Sequence, residues 1–174
     1  MAHATTSEAS AWVRRFAALV PAGGTVLDVA AGGGRHARLF RALGHPVVAL
    51  DRDITGLADL ATDPQAEIVA LDLEDGSPWP YRGEHFAGIV VTNYLWRPLL
   101  PDLVAATAPG GALIYETFAL GNERFGKPSN PDFLLRPGEL LDAVRGRFRV
   151  IAYEDVEVSS PKPALVQRIA AVRE

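Results

Sequence analysis

The sequence predicts an α/β fold built on a mostly parallel sheet with helices on both faces. A strand–helix–strand pattern over residues 25–50 is typical of a parallel α/β unit. Residues 86–92 are apolar on both faces, as in a strand buried inside a parallel sheet. The last two β-rich runs, 148–158 and 164–172, are joined by a Pro-Lys-Pro turn that is too short for a helical crossover. We therefore expect those two strands to form an antiparallel hairpin at one side of the sheet.

Length and composition restrict the classes of protein. A chain of 174 residues, 48% hydrophobic, suits a single domain over 1–174 and is too short for two domains of the usual dehydrogenase size. The net charge of −4 without a dense basic run argues against nucleic acid as a partner. Because there is no cysteine, disulfides, thiolate metal sites and cysteine catalysis are excluded. We find neither a signal-peptide pattern nor a run of membrane-span length, so we expect a cytoplasmic protein, and nothing indicates an oligomeric state.

The segment from Thr25 to Asp53 is the centre of the prediction. Three consecutive glycines, Gly32 to Gly34, follow the first strand, and they let a ligand approach the backbone closely. A helix with a regular apolar face follows, and Gly44 ends it. Asp51 closes the next strand, where a carboxylate can accept hydrogen bonds from both hydroxyls of a ribose. This arrangement predicts a site for an adenosine-like ligand.

Two further acidic residues help to predict which kind of nucleoside ligand the site binds. Gly32, Gly34 and Ala37 fit the dinucleotide fingerprint, which on its own favours NAD. Asp28, however, lies inside the first strand, where it can hold the N–H groups of the glycine loop or receive a ligand's ammonium group. Asp72 follows a third apolar run and can accept from an adenine amino group. Acids near the ends of three successive strands point away from NAD.

The motifs VLDVAAGGG, VVALD and IVALDLED, the Ala-Pro-Gly-Gly turn at 108–111 and the closing strands resemble those of class I S-adenosylmethionine (SAM) dependent methyltransferases. The resemblance covers roughly residues 26–173 and is greatest to the small bacterial tellurite-resistance-like (TehB-like) subgroup. It implies a Rossmann-like sheet of seven strands in the order 3-2-1-4-5-7-6, with SAM as cofactor. Ala30 stands where the family pattern has its first glycine, and alanine still leaves room for a ligand.

The resemblance also implies a set of cofactor-binding residues. Asp28 and the loop from Ala30 to Gly34 would hold the methionine part, Asp51 the ribose, and Asp72 with Leu73 the adenine. The complete set expected to bind the cofactor is Asp28, Ala30, Gly32, Gly34, Asp51, Arg52, Asp72, Leu73 and Asn93.

The remaining elements follow from periodicity and from turn residues. A helix from about residue 7 carries Trp12, Phe16 and Leu19 on one face; it either covers the core or closes over the cofactor cleft. Asp53 is expected to cap a short helix whose apolar face is formed by Ile54, Leu57, Ala58 and Ala61. The proline- and glycine-rich span 74–84 is expected to be a loop, in which Trp79 and Tyr81 either pack on the sheet edge or wall the adenine pocket. Further helices are expected from Pro98 to about 108 and over 137–144, with a fifth strand over 112–117.

Candidate catalytic residues lie where the fourth and fifth strands end, because ligands of open α/β sheets bind beyond the carboxyl ends of strands. Asn93 and Tyr94 follow the fourth strand, and Glu116 closes the fifth. Each could place or deprotonate an acceptor, although Glu116 could equally be satisfied by backbone N–H groups. His36, beside the glycines, is either a general base or a structural residue.

Candidate substrate-binding residues follow the same two strands. Arg97 either clamps an anionic substrate or forms an ordinary ion pair at a helix start. The long irregular span 119–137 is expected to cover the substrate, with Asn122, Glu123, Arg124, Phe125 and Lys127 as candidates and Asn122 and Phe125 selected.

Two functions remain open from the sequence. The first is SAM-dependent methyl transfer to a small molecule, chemistry that needs no metal ion, so none is predicted. The second is a NAD- or SAM-binding module that senses or regulates without chemistry.

Overall fold

The computed structural model describes residues 8–83 and 85–174. Its seven strands form one sheet in the order β3-β2-β1-β4-β5-β7-β6. The strands are β1 Val26–Val29, β2 Val47–Asp51, β3 Ala66–Ala70, β4 Phe86–Thr92, β5 Thr107–Phe118, β6 Phe148–Val158 and β7 Ala164–Arg173. The pairs among β1 to β5 are parallel, and β7 pairs antiparallel with both β5 and β6. The predicted sheet, including its antiparallel hairpin, is confirmed.

Helices cover both faces of the sheet. The α-helices are α1 Ala11–Phe16, α2 Arg35–Ala42, α3 Leu100–Ala106 and α4 Glu139–Val144. Helices α1 and α2 pack on one face with the 3₁₀ segment Thr55–Thr62, whereas α3 and α4 pack on the other. Shorter 3₁₀ turns are Ala17–Leu19, Arg97–Leu99, Asn122–Arg124 and Pro131–Phe133. Among the described residues, none of these helices is long and apolar enough to cross a membrane.

The glycine loop and the two ends of α2 form as their residue types suggest. Gly34 has a φ of +82°, and a Cβ there would lie 2.6 Å from Leu57 Cδ2, so only glycine fits without rearrangement. At the other end of α2, Gly44 has a φ of +90° and His45 N–H donates to the Phe40 carbonyl. This pattern closes the helix as a Schellman motif.

Two element predictions need correction. Residues 55–62 form a 3₁₀ segment and bury Leu57 and Leu60, whereas Ile54, Ala58 and Ala61 are exposed, because the apolar positions follow a tighter period than that of an α-helix. Strand β5 begins at Thr107 and not at residue 112, since Thr107 already pairs with Phe86 before a shift in register at Gly88.

The N-terminal helix covers the core, which was one of its two expected roles. Trp12, Val13 and Phe16 are buried against the sheet. Ser10 caps the helix, because its hydroxyl oxygen accepts the N–H groups of Trp12 and Val13. Residue 7 of the expected helix and residue 84 of the expected loop lie outside the described residues.

Candidate functional site: two adjoining cavities at the carboxyl ends of the strands

A cavity of about 500 Å³ lies beyond the carboxyl ends of β1, β2, β3 and β4. Seven residues expected at the cofactor or catalytic site line it: Ala30, Asp51, Arg52, Asp72, Leu73, Asn93 and Tyr94. The cavity is further walled by Leu50, Leu71, Glu74, Leu95, Thr117, Phe118, Pro128 and Phe133. Its position, volume and mixed lining are typical of a small-molecule site.

Asp51 is held firmly by backbone donors. Its Oδ2 accepts the Gly32 N–H at 2.8 Å, and its Oδ1 accepts the Asp53 N–H at 2.9 Å. A carboxylate offers about four acceptor positions. Two therefore stay available for ligand hydroxyls, while the first two fix the carboxylate against the glycine loop.

Asp72 lies on the next strand end in the same cavity. Its Oδ1 accepts the Glu74 N–H at 2.9 Å, which orients the carboxylate at the start of the following loop. The apolar side chains of Leu50, Leu71 and Leu73 line the wall beside it. An aromatic base placed there meets apolar contacts on its faces and an acceptor at its edge.

Asp28 does not line the cavity. It is 2% exposed beneath the glycine loop, where its Oδ2 accepts the Ala37 N–H in the first turn of α2 at 3.0 Å. Burial raises the pKa of Asp28 to about 7, although the Ala37 N–H opposes that rise. The carboxyl thus holds the helix that follows the loop and not the loop itself. Gly32 and Gly34 likewise shape the loop without lining the cavity.

Tyr94 reaches across the first cavity. Its hydroxyl donates to Glu74 Oε2 at 3.2 Å, so the segment after β4 is linked to the loop after β3. Burial, together with the adjacent Glu74 carboxylate, raises the pKa of Tyr94 above its usual range. The phenol therefore remains a hydrogen-bond donor near neutral pH.

A second cavity of about 300 Å³ adjoins the first and shares Asn93 and Phe118 with it. Asn93 has a φ of +54°, in the left-handed region that asparagine tolerates better than most residues. Its N–H donates to the Glu116 carbonyl at 2.9 Å, which places the residue between the ends of β4 and β5. The two cavities therefore meet at Asn93.

Glu116 lies in the second cavity and is paired. Its carboxylate accepts the Ser10 hydroxyl at 2.6 Å and lies 3.0 Å from Arg168 Nη1. Arg168 also binds Glu154 at 2.6 Å and packs over the Trp12 ring. Side chains, and not the backbone N–H groups considered from the sequence, thus satisfy Glu116.

His36 is a buried structural residue. Its Nε2 accepts the Ser10 N–H at 3.0 Å, and its Nδ1 lies 3.4 Å from Thr92 Oγ1. Burial is the main cause that lowers the pKa of His36, to about 3, so the ring is neutral near pH 7. The ring supports the start of α1 and the end of β4 at the same time.

Three expected substrate-binding residues lie outside both cavities. Arg97 forms a two-pronged ion pair with Glu139 and donates to the carbonyls of Asp132 and Leu134, so its interactions are those of the alternative ion-pair role. Asn122 is buried and joins Pro128 to Leu165 through its amide. Phe125 is 39% exposed and stacks beside Arg124.

Some of the remaining aromatic residues line the first cavity, and others pack elsewhere. Tyr81 is buried and packs edge-on against Phe86, and Trp79 packs against Tyr81, so neither walls the first cavity. Phe118, Pro128 and Phe133 line it instead and were not predicted. The length of the loop 119–137 indicated that it covers a ligand site, but no pattern in its residues predicted which side chains line the cavity.

No protein-family model matches this chain, and no curated protein matches it by sequence. Solved structures do match. The TehB structure from Haemophilus influenzae superposes with a TM-score of 0.73 at 18% identity, over 98% of this chain and 64% of that one. A SAM-dependent methyltransferase from Mesorhizobium loti gives 0.69 at 18%, over 94% and 98%. The 1,6-didemethyltoxoflavin-N1-methyltransferase of Burkholderia thailandensis, with bound 1,6-didemethyltoxoflavin and S-adenosylhomocysteine (SAH), gives 0.65 at 20%, over 94% and 78%.

The chain has the class I SAM-dependent methyltransferase fold. The resemblance noted in the sequence, including that to TehB-like proteins, is thereby confirmed at the level of the fold. The antiparallel β6–β7 hairpin separates this methyltransferase fold from the dinucleotide-binding fold that the glycine fingerprint alone would have allowed.

Proposed function

We propose that this protein is a methyltransferase that binds SAM in the first cavity and methylates a small molecule held in the second. One observation carries the proposal: Asp51 and Asp72, on adjacent strand ends, line a single cavity that meets a second cavity at Asn93. The methyltransferase fold of the chain supports it.

The residues fit the cofactor in shape and in chemistry. Asp51 keeps two acceptor positions for ribose hydroxyls, and Asp72 offers an acceptor at the edge of the base. The left-handed backbone at Ala30 and Gly32 leaves the loop surface clear of bulky side chains, and a Cβ built on Gly32 meets nothing within 4 Å. The loop therefore offers an open backbone to the amino-acid part of SAM.

The reaction would take place where the two cavities meet. When bound, SAM would supply an electrophilic methyl group, which passes to a nucleophilic atom of the acceptor as the carbon–sulfur bond breaks and SAH leaves. Asn93 orients the acceptor from the shared wall, and Glu116 accepts a hydrogen bond or a proton from it in place of the Ser10 hydroxyl. Tyr94 keeps the adenosine half of the cleft closed through Glu74. Catalysis then rests on positioning and on exclusion of water.

A SAM-binding sensor without chemistry is the second candidate. It is favoured by one observation, that Glu116 and Tyr94 both already have partners, Ser10 with Arg168 and Glu74 respectively. Methyl-transfer measurements distinguish the two functions.

The test is calorimetric titration of the purified protein with SAM, SAH and NAD, followed by assays with a panel of small acceptors. We expect saturable heats with SAM and SAH and none with NAD. Tight binding of NAD without a response to SAM would refute the proposal. Binding of SAM with no methyl transfer to any acceptor would favour the sensor.

A further inference from the structure

The second cavity is cationic although the chain as a whole is acidic. Among the described residues, four cationic side chains line it, Arg14, Arg35, Lys162 and Arg168, against the two carboxylates of Glu8 and Glu116. The chain carries a net charge of −4, so this excess of positive charge is local. A concave surface lined by one sign of charge attracts ligands of the opposite sign.

Two of these cations form no ion pair with a carboxylate among the described residues. Arg168 is occupied by Glu116 and Glu154, and Arg14 lies 3.9 Å from Glu8. Within the described residues, the Arg35 side chain donates one hydrogen bond, to the Glu8 carbonyl at 3.2 Å, and its charge also lowers the pKa of the buried Asp28. Lys162 forms neither a hydrogen bond nor an ion pair within the described part of the chain. Arg35 and Lys162 are therefore available to a ligand.

The two available cations belong to different parts of the fold. Arg35 begins α2 directly after the glycine loop and lines the second cavity but not the first. Lys162 lies in the turn between β6 and β7, which contributes nothing to the lining of the first cavity. Lys162 consequently distinguishes an acceptor from the cofactor.

Apolar surface completes the second cavity. Trp12, Phe118 and Val166 lie among its walls, and its volume of about 300 Å³ suits a small ring-bearing molecule. The negative charge of Glu116 does not oppose an anion strongly, because Arg168 lies 3.0 Å away.

We propose that the second cavity binds a small organic anion as the methyl acceptor, with its anionic group paired to Lys162 and Arg35 and its apolar part beside Phe118. This rests on the proposed function, because it identifies the class of acceptor for the same site. The nucleophilic atom then faces Asn93, at the wall shared with the first cavity.

The test is a titration of the SAH-loaded protein with benzoate, with the neutral benzamide and with inorganic sulfate. We expect benzoate to bind about tenfold more tightly than either of the others, because a charge-assisted contact and ring packing are both required. Lys162→Ala should lower benzoate affinity about tenfold and leave SAH affinity unchanged. Arg149→Ala, which removes an exposed charge on β6 outside the cavity, is the matched control and should change neither.

Equal affinities for benzoate and benzamide would overturn the proposal, as would sulfate binding as tightly as benzoate. A Lys162→Ala variant that loses SAH affinity and keeps the benzoate preference would also overturn it. Absence of SAH binding would refute the proposed function instead. The benzoate and benzamide titrations of the unloaded protein would then still decide whether the cavity selects an anion.

Discussion

The two halves of the carboxyl edge of the sheet hold their carboxylates in different ways. In the half formed by β1, β2 and β3, Asp51 and Asp72 accept backbone N–H groups between 2 and 19 residues away. In the half formed by β4, β5 and β7, Glu116 binds side chains 52 and 106 residues away. The first half is therefore assembled by local backbone geometry, and the second by tertiary contacts. We therefore expect single substitutions to change ligand affinity in the first half. In the second half, affinity should depend on the network of side chains around Glu116.

The largest effect is expected for Asp51→Ala in the first half. Loss of two charge-assisted hydrogen bonds should weaken SAM binding by roughly 2–5 kcal/mol. Calorimetric titration with SAM measures this, with Asp142→Ala as control because Asp142 is an exposed acid paired with Arg145. An unchanged dissociation constant would show that the ribose lies elsewhere.

A large effect on stability is expected for Asp28→Asn. The pKa of Asp28 is raised from 3.8 to about 7, so the folded state binds a proton between those pH values that the unfolded state lacks. The free energy of unfolding consequently falls as the pH rises through this range, and the full penalty applies above pH 7. Asparagine removes the penalty and retains an acceptor for the Ala37 N–H.

Urea denaturation should therefore show Asp28→Asn to be more stable than the wild type by about 1–4 kcal/mol at pH 8 and by less than about 1 kcal/mol at pH 4. Asp142→Asn should show no such dependence. Equal differences at both pH values would mean that the Asp28 carboxyl ionises as easily in the folded as in the unfolded chain.

A smaller effect is expected for Arg97→Ala, which tests whether Arg97 acts on the fold or on a ligand. The side chains of Arg97 and Glu139 are 25% and 14% exposed, so removal of the guanidinium leaves a largely buried carboxylate unpaired. We expect a loss of about 1–3 kcal/mol in the free energy of unfolding and no change in SAH affinity. The exposed ion pair of Arg145 with Asp142 offers a control, because Arg145→Ala should lower the free energy of unfolding by less than about 0.5 kcal/mol. Reduced acceptor turnover at unchanged stability would restore Arg97 as a substrate ligand.

The smallest effect is expected for Ser10→Ala. The variant loses the helix cap and the hydroxyl that binds Glu116, which should cost about 1 kcal/mol of stability. Ser10→Thr keeps a hydroxyl and should behave like the wild type in denaturation experiments. If Ser10→Thr lowers the free energy of unfolding as much as Ser10→Ala, the hydroxyl does not stabilise the start of α1.

The difference between the two halves also explains what the sequence could predict. Strand ends, glycines and acids in the first half lie within one continuous stretch, so periodicity and spacing located Asp51 and Asp72. The strand order around them came from the family resemblance. Asn93 at the end of β4 was found by the same rule.

The second half could not be predicted in the same way. The partnership of Glu116 with Ser10 and Arg168 depends on which distant side chains the sheet brings together, and no local pattern encodes it. In the loop 119–137, Asn122 binds Pro128 and Leu165 and so fixes which residues face inward. The 3₁₀ conformation of residues 55–62 was not predicted either, because the prediction assumed the period of an α-helix.

The reversed direction of β7 has a consequence for the second cavity. Since β7 runs against β5, the short turn before it lies beside the ends of the parallel strands and brings Lys162 into the second cavity. None of the turn residues lines the first cavity. Under the proposed function, exchange of this exposed turn alone would change the choice of acceptor and leave the residues proposed to bind SAM unaltered.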